Sequence, residues 1–264
     1  MSFFRVDNLS AGYGKHHIIR DVSFSMKENS VIGILGSNGS GKTTLIKAIC
    51  GILPHKGSCY LDDIELESLS PRQIAKQVSY IPQRSGISID ISVLDVVLMG
   101  FNPQLKLLEH PTKAMIATAR DALAQVGIAE KENANYLHLS EGQKQLCIFA
   151  RTIVSGSNLL LMDEPESALD FRHRFRMLDM IRNWTTKTNG GSIVTLHDPM
   201  LALNYCDKLI LLENGELLDI LSPKKDSIER MEQGLCKIYG PISLHLCKTH
   251  SGKETLSLLR EDIS

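Results

Sequence analysis

Long apolar runs are missing from this sequence. A membrane-spanning helix needs roughly 18 consecutive apolar residues, and the best candidates, Leu159–Met162 and Leu209–Leu212, stop far short of that. A charge excess is missing too: 29 Lys and Arg face 30 Asp and Glu, for a net charge of -1, which excludes the strongly basic footprint of a dedicated nucleic-acid binder. None of the six cysteines (Cys50, Cys59, Cys147, Cys206, Cys236, Cys247) forms a C-x-x-C pair, and a chain of 264 residues does not need disulfide staples, so reduced thiols are expected. There is no internal repeat and no low-complexity tract. The first eight residues are interrupted by Arg5 and Asp7 and lack the apolar core of a secretory signal, so a cytoplasmic protein is expected. What the composition offers, at 43% hydrophobic and 22% charged, is a globular chain able to bury a substantial core.

Three short runs, Val31 to Leu35, Leu159 to Met162 and Ile193 to Leu196, are apolar at nearly every position. Such segments fit central strands of a parallel sheet covered on both faces. Val22, Phe24 and Met26 alternate with polar neighbours and predict a half-exposed antiparallel strand near the N-terminus. The middle of the chain reads as helical. Pro111 suits a first helical turn and Gly127 a stop; Ser140 and Gln143 have capping-box spacing; Phe171, Phe175, Leu178 and Ile181 mark a further helix after Asp170. One domain over 1–264 is predicted: a catalytic core from 1–83 and 159–221, a helical subdomain at 84–158 and a small appendage at 222–264.

Each apolar run ends at residues that carry chemistry, and ligands of open α/β sheets bind beyond the carboxyl ends of strands. After the first comes Gly36, Ser37, Asn38, Gly39, Ser40, Gly41, Lys42, Thr43, which fits G-x-x-x-x-G-K-[ST], with Thr44 opening a helical stretch. Backbone N–H groups of such a loop curl around phosphates, Lys42 reaches the β and γ phosphates, and Thr43 can ligate Mg²⁺. At the end of the second run stand Asp163, assigned to magnesium, and Glu164, assigned to the attacking water. At the end of the third stands His197, placed to hold that water in line with the acid. Taken singly, the two acids could be helix caps and His197 a structural histidine.

With Leu139, Ser140, Glu141, Gly142 and Gln143, the sequence resembles the ATP-binding subunits of ABC transporters, over nearly the whole chain. Gly36 to Thr44 looks like their Walker A motif, Leu159 to Asp163 their Walker B motif, and Leu139 to Gln143 their signature. Gln83 stands at the Q-loop, where the resemblance implies a catalytic and magnesium-binding role. Ser167, Ala168, Leu169 and Asp170 stand at the D-loop, His197 at the switch histidine, and Tyr13 at the aromatic that stacks on adenine. The implied fold is a P-loop NTPase core of α/β class with a mixed sheet, an antiparallel part near the N-terminus and an inserted helical subdomain. The implied function is ATP hydrolysis, with ATP and Mg²⁺ as cofactors, in a homodimer whose signature faces the ATP of the second subunit.

The resemblance also implies partners: integral membrane permease subunits, a solute-binding protein acting through them, and a place at the cytoplasmic face of the inner membrane, without nucleic acid. Residues 84–110 stand where the family receives a permease helix, although their apolar side chains read equally as core. Ser92 to Pro103, His197 to Asp207 and Ile238 to Pro241 resemble the ATPases of iron-chelate, haem and cobalamin importers. A free-metal, amino-acid or export system, or a soluble ABC ATPase acting on nucleic acid or ribosomes, is the alternative. Glu141 and Glu166 replace the family's usual glycine and threonine. Acids beside phosphates are unfavourable, so both side chains are expected to turn away and to tune the rate. The cluster Arg172, His173, Arg174, Arg176 reads as a solvated helix face, and His245, Cys247 and His250 fit no standard metal spacing.

Overall fold

A strand that buries side chains on both faces needs a layer on either side of it. The computed structural model, which describes residues 2–106, 108–167 and 169–261, supplies both layers. From the N-terminus the chain forms β1 (Phe4–Tyr13), β2 (His16–Met26), β3 (Ser30–Leu35), α1 (Lys42–Ile49), β4 (His55–Leu61), β5 (Ile64–Glu65), α2 (Pro71–Gln77) and β6 (Val78–Ile81). Helices α3 (Val93–Leu98), α4 (Lys113–Val126) and α5 (Glu141–Ser155) follow. Then come β7 (Leu159–Met162), α6 (Phe171–Thr188), β8 (Gly191–Thr195), α7 (Pro199–Tyr205), β9 (Lys208–Glu213) and β10 (Glu216–Leu221). The chain closes with α8 (Ile228–Tyr239), β11 (Ile242–Lys248) and β12 (Glu254–Arg260).

The central sheet has the order β10-β9-β3-β8-β7-β6, parallel throughout except for β10 at the edge. A second, antiparallel sheet, β2-β1-β4-β5, covers one of its faces. The period of two residues sorts the central side chains between the layers. Ile32, Ile34, Leu159, Leu161, Ile193, Ile210 and Leu212 join the cluster shared with the antiparallel sheet and α1. Their alternates Val31, Leu35, Leu160, Met162, Val194, Leu209 and Leu211 join the cluster shared with α3 to α8. Burial of such a side chain is worth about 1.5–3 kcal/mol, so the double coverage holds the sheet that carries the site. The α/β class, the mixed sheet, the antiparallel N-terminal part and the run of helices between β6 and β7 are all as the sequence predicts.

One boundary differs. Helix α4 starts at Lys113, with Thr112 as N-cap and its hydroxyl accepting from Met115 N at 3.2 Å, so Pro111 lies outside the first turn. Threonine offers an oxygen to an orphan N–H, which proline cannot. Beyond β10, α8 is clamped by Asp219, which accepts from Arg230 Nη1 at 2.9 Å and Lys237 Nζ at 2.8 Å. His245 and Cys247 lie on β11 of the terminal hairpin, and no metal-ligating group forms there among the described residues.

Candidate active site

Strands β3, β8, β7 and β6 lie side by side and parallel, so the loops after all four open at one edge of the sheet. The loop after β3 is closed by necessity at Gly36, where a Cβ would stand 2.1 Å from the Leu212 carbonyl oxygen. Gly41 has φ +103° and caps α1 without any side-chain acceptor. The first N–H groups of α1 therefore remain open to an anion at the positive end of the helix dipole. Lys42 folds back over the loop, its ammonium donating to Gly36 O at 2.9 Å and Ser37 O at 3.1 Å. Burial lowers its pKa against the opposing pull of Glu164, Asp163, Glu213 and Glu166. The Ser37 hydroxyl donates to Glu213 at 2.8 Å, tying the loop to the end of β9.

A cleft of about 280 Å³ lies over this loop, lined by Asn38, Gly39, Gly41, Lys42, Thr43, Thr44, Glu164, Ile18 and Tyr13. Tyr13 ends β1 at a two-residue hairpin turn, opposite His16, and is 51% exposed. Gly36, Ser37 and Ser40 belong to the same loop but do not line this cleft. Ser40 is buried, with no partner for its hydroxyl among the described residues.

The Thr43 hydroxyl donates to Asp163 Oδ2 at 2.8 Å. The other oxygen of Asp163 accepts from Thr195 at 2.8 Å, and Thr195 Oγ1 in turn accepts the Glu164 N–H at 2.8 Å. One threonine of β8 thus orients both acids that follow β7. Glu164 has φ +49°, a left-handed conformation uncommon outside glycine and concentrated at functional sites. Its carboxylate is held at both ends: Gln83 Nε2 donates to Oε2 at 2.6 Å, and His197 Nε2 lies 2.6 Å from Oε1. Gln83 also reaches the Ser167 hydroxyl at 3.4 Å, and it bonds to neither Thr43 nor Asp163.

Glu166 turns inward. Its Oε1 accepts the His197 N–H at 2.8 Å, while Oε2 is buried without a partner among the described residues. Burial raises its pKa, with the His197 N–H working the other way. Glu141 instead turns out to Lys144 at 2.7 Å and is 66% exposed. Neither acid lines the cleft over the phosphate loop: Glu141 turns to solvent, and Glu166 turns into the interior, where it spends a carboxylate oxygen on the His197 N–H.

Ser140 is the N-cap of α5. Its hydroxyl accepts from Gln143 N at 3.3 Å, and Gln143 Oε1 accepts the Ser140 N–H at 3.1 Å. None of Leu139, Ser140, Glu141, Gly142 and Gln143 lines the cleft over Lys42, so the structure does not bring this helix end to the chain's own phosphate loop. Gly142 lies against Leu169, whose side chain would be 3.1 Å from an added Cβ. Asp170 caps α6, accepting from His173 N at 2.9 Å. Ala168 lies outside the described residues. Sequence reasoning missed Thr195, Glu213 and the inward role of Glu166. The available signals were a hydroxyl two residues before His197 in an apolar strand and an acid closing the run Leu209 to Leu212.

The ABC transporter family model matches residues 19–167. The hemin import ATP-binding protein HmuV of Bordetella pertussis is 35% identical over 231 residues, covering 82% of this chain and 87% of that protein. Among solved structures, a chain of an inward-facing ABC transporter assigned to the metal-chelate type is similar with a TM-score of 0.82 at 23% identity, covering 98% of this chain and 96% of that one. The dimeric, post-hydrolysis ATP-binding cassette MJ0796 with ADP and Pi is similar with a TM-score of 0.74 at 20% identity, covering 83% and 98%. At these identities the two structures speak to the fold.

Proposed function

The chain belongs to the ABC transporter family as an ATP-binding subunit with ATPase activity, and we propose that it energises uptake of an iron chelate, haem or cobalamin through a separate membrane permease. Its phosphate loop and the open N-terminus of α1 bind the triphosphate, with Lys42 swinging from the carbonyls of Gly36 and Ser37 to the β and γ phosphates. Tyr13 stacks on the adenine at the rim of the cleft. Thr43 and Asp163, an all-oxygen pair already in contact, suit Mg²⁺, and Gln83 joins them by turning from Glu164. Magnesium, when bound, neutralises charge on the β and γ phosphates. Glu164 accepts the proton of the attacking water and His197 keeps that water and the acid in line. The products are ADP and phosphate.

The observation that carries this reading is the double hold on Glu164, at 2.6 Å from both Gln83 and His197, directly after Asp163, which contacts Thr43 of the phosphate loop. A base fixed in place without a neighbour of its own charge at its tip is what in-line attack on a γ-phosphate requires. The signature serves a second copy of the chain. Ser140, Gly142 and the N–H groups behind them form a second anion-ready helix end, turned away from the chain's own cleft. Two copies related by a two-fold axis then enclose two ATP molecules, and loss of the γ-phosphate opens them. Ser167 and Asp170 lie between the Glu164 loop and α6, where one copy senses the other.

No described helix is long and apolar enough to cross a membrane, so transport needs permease subunits, with this chain peripheral at the cytoplasmic face of the inner membrane. Their docking segment meets residues 84–110, and a solute-binding protein supplies the cargo on the far side. The hemin-import relative supports that choice of solute. The test is to solubilise membranes in mild detergent, capture the tagged chain and identify its companions by mass spectrometry. An equimolar polytopic membrane protein of a metal-chelate importer is expected; ribosomal proteins, nucleic acid or soluble partners alone overturn the transport assignment.

A further inference from the structure

On strand β4, a histidine and a cysteine have no part in ATP hydrolysis. Gly57 lies between them at φ +87°, packed so tightly that a Cβ would stand 2.5 Å from the carbonyl oxygens of both Asp7 and Asn8. This left-handed residue interrupts the extended course of the strand. On either side of it, His55 and Cys59 both reach Glu67, which sits in the short 3-10 turn Leu66–Ser68. His55 Nε2 is 2.7 Å from Glu67 Oε1, and the Cys59 N–H donates to the two Glu67 oxygens at 3.0 and 3.1 Å. The nitrogen, sulfur and oxygen ligand atoms all lie within 4.8 Å of one another, and no other such group converges among the described residues.

We propose that His55, Cys59 and Glu67 bind a divalent transition-metal ion of the zinc class, with water in the fourth position. The donor set decides the class. A thiolate with an imidazole and a carboxylate suits Zn²⁺, whereas Mg²⁺ and Ca²⁺ take oxygen donors. The orientation is prepared as well: His55 Nδ1 is 3.3 Å from Leu53 O, which fixes the ring and leaves Nε2 for the ion, and the Cys59 N–H orients the Glu67 carboxylate. Zinc bonds of about 2.0–2.3 Å place tetrahedral ligand atoms roughly 3.5 Å apart, so the His55–Glu67 contact, at 2.7 Å, opens when the ion enters. Entry is by way of His55, which with Leu53, Pro54 and Lys56 walls a cavity of about 460 Å³ that Tyr13 also borders. Burial, and after it the Glu67 charge, raise the pKa of the Cys59 thiol. Binding therefore breaks the S–H bond, forms the S–metal bond and releases one proton to solvent, so affinity rises with pH. Occupancy ties β4 to the turn at Glu67 beside the adenine platform, away from Thr43 and Asp163.

The test uses the full chain without nucleotide, carrying Cys247→Ser and His250→Ala to remove the exposed donors of the tail, with Co²⁺ as the spectroscopic probe. The expected result is one cobalt per chain, a thiolate-to-cobalt charge-transfer band in the near ultraviolet, ligand-field bands of a tetrahedral centre, and loss of both on adding Zn²⁺. Cys59→Ser removes the charge-transfer band, and His55→Gln and Glu67→Gln each weaken cobalt binding at least about tenfold, with far-ultraviolet circular dichroism unchanged in the last two. The proposal is overturned by the absence of a thiolate band in the parent at saturating cobalt. It is equally overturned by a band that survives Cys59→Ser, or by affinities unchanged in both His55→Gln and Glu67→Gln.

Discussion

Glu164 combines a left-handed backbone, a half-buried position and three anchors, Thr195 on its N–H and Gln83 and His197 on its carboxylate. Removing its charge while keeping its shape isolates its chemistry. Glu164→Gln is expected to lower ATP turnover by about 10²–10⁴-fold with ATP affinity little changed, as phosphate release and equilibrium nucleotide binding will report. Glu166 makes a prediction about pH. Its pKa is raised by burial, so the fold favours its protonated form. That contribution is complete below the ordinary glutamate pKa and is lost as pH rises through the raised value. Thermal melts should therefore find Glu166→Gln more stable than the parent on the alkaline side, with the gap closing as the solution is acidified. A gap that widens in acid contradicts the account. The acids at 163 and 164 were legible in the sequence because the pair follows directly on one apolar run. The direction in which Glu166 turns was not, because it depends on an N–H contributed by a loop 31 positions away.

Helix α5 shows what local sequence can and cannot specify. Ser140 and Gln143 form the capping box that their spacing predicts, and Ser140→Ala is expected to destabilise the chain by about 1 kcal/mol, measured by urea unfolding. The same variant should lower ATP turnover further than that loss of stability explains, because the hydroxyl also serves the second nucleotide. Equal stability and equal turnover would show Ser140 to be neither cap nor ligand. Helix ends set by a side chain and its own neighbours were readable this way. The start of α4 was misjudged because Pro111 and Thr112 both suit a helix entry and only the structure shows which one supplies the acceptor. Short pieces such as β5, and the Gly57 break that joins His55 to Glu67, have no periodicity to read.

At the scale of the whole molecule, one sheet edge gathers Lys42, Gln83, Glu164 and His197, while the N-terminus of α5 lies elsewhere. The gathering was legible because strands apolar on both faces imply a parallel sheet, and parallel strands end at a common edge. The strand order and the covering of one face by the antiparallel sheet were not, since pairing partners lie up to 176 positions apart. On the proposed reading, a chain with both a phosphate loop and a separate signature completes its site only across two copies. The most direct test mixes two disabled chains. Lys42→Ala lacks a working phosphate loop and Ser140→Arg a working signature, so each alone should turn over ATP at background. A mixed pair contains one intact site, built from the phosphate loop of the Ser140→Arg chain and the signature of the Lys42→Ala chain. Steady-state phosphate release from the mixture is predicted to rise well above the sum of the two variants; release equal to that sum would contradict a site shared between two copies.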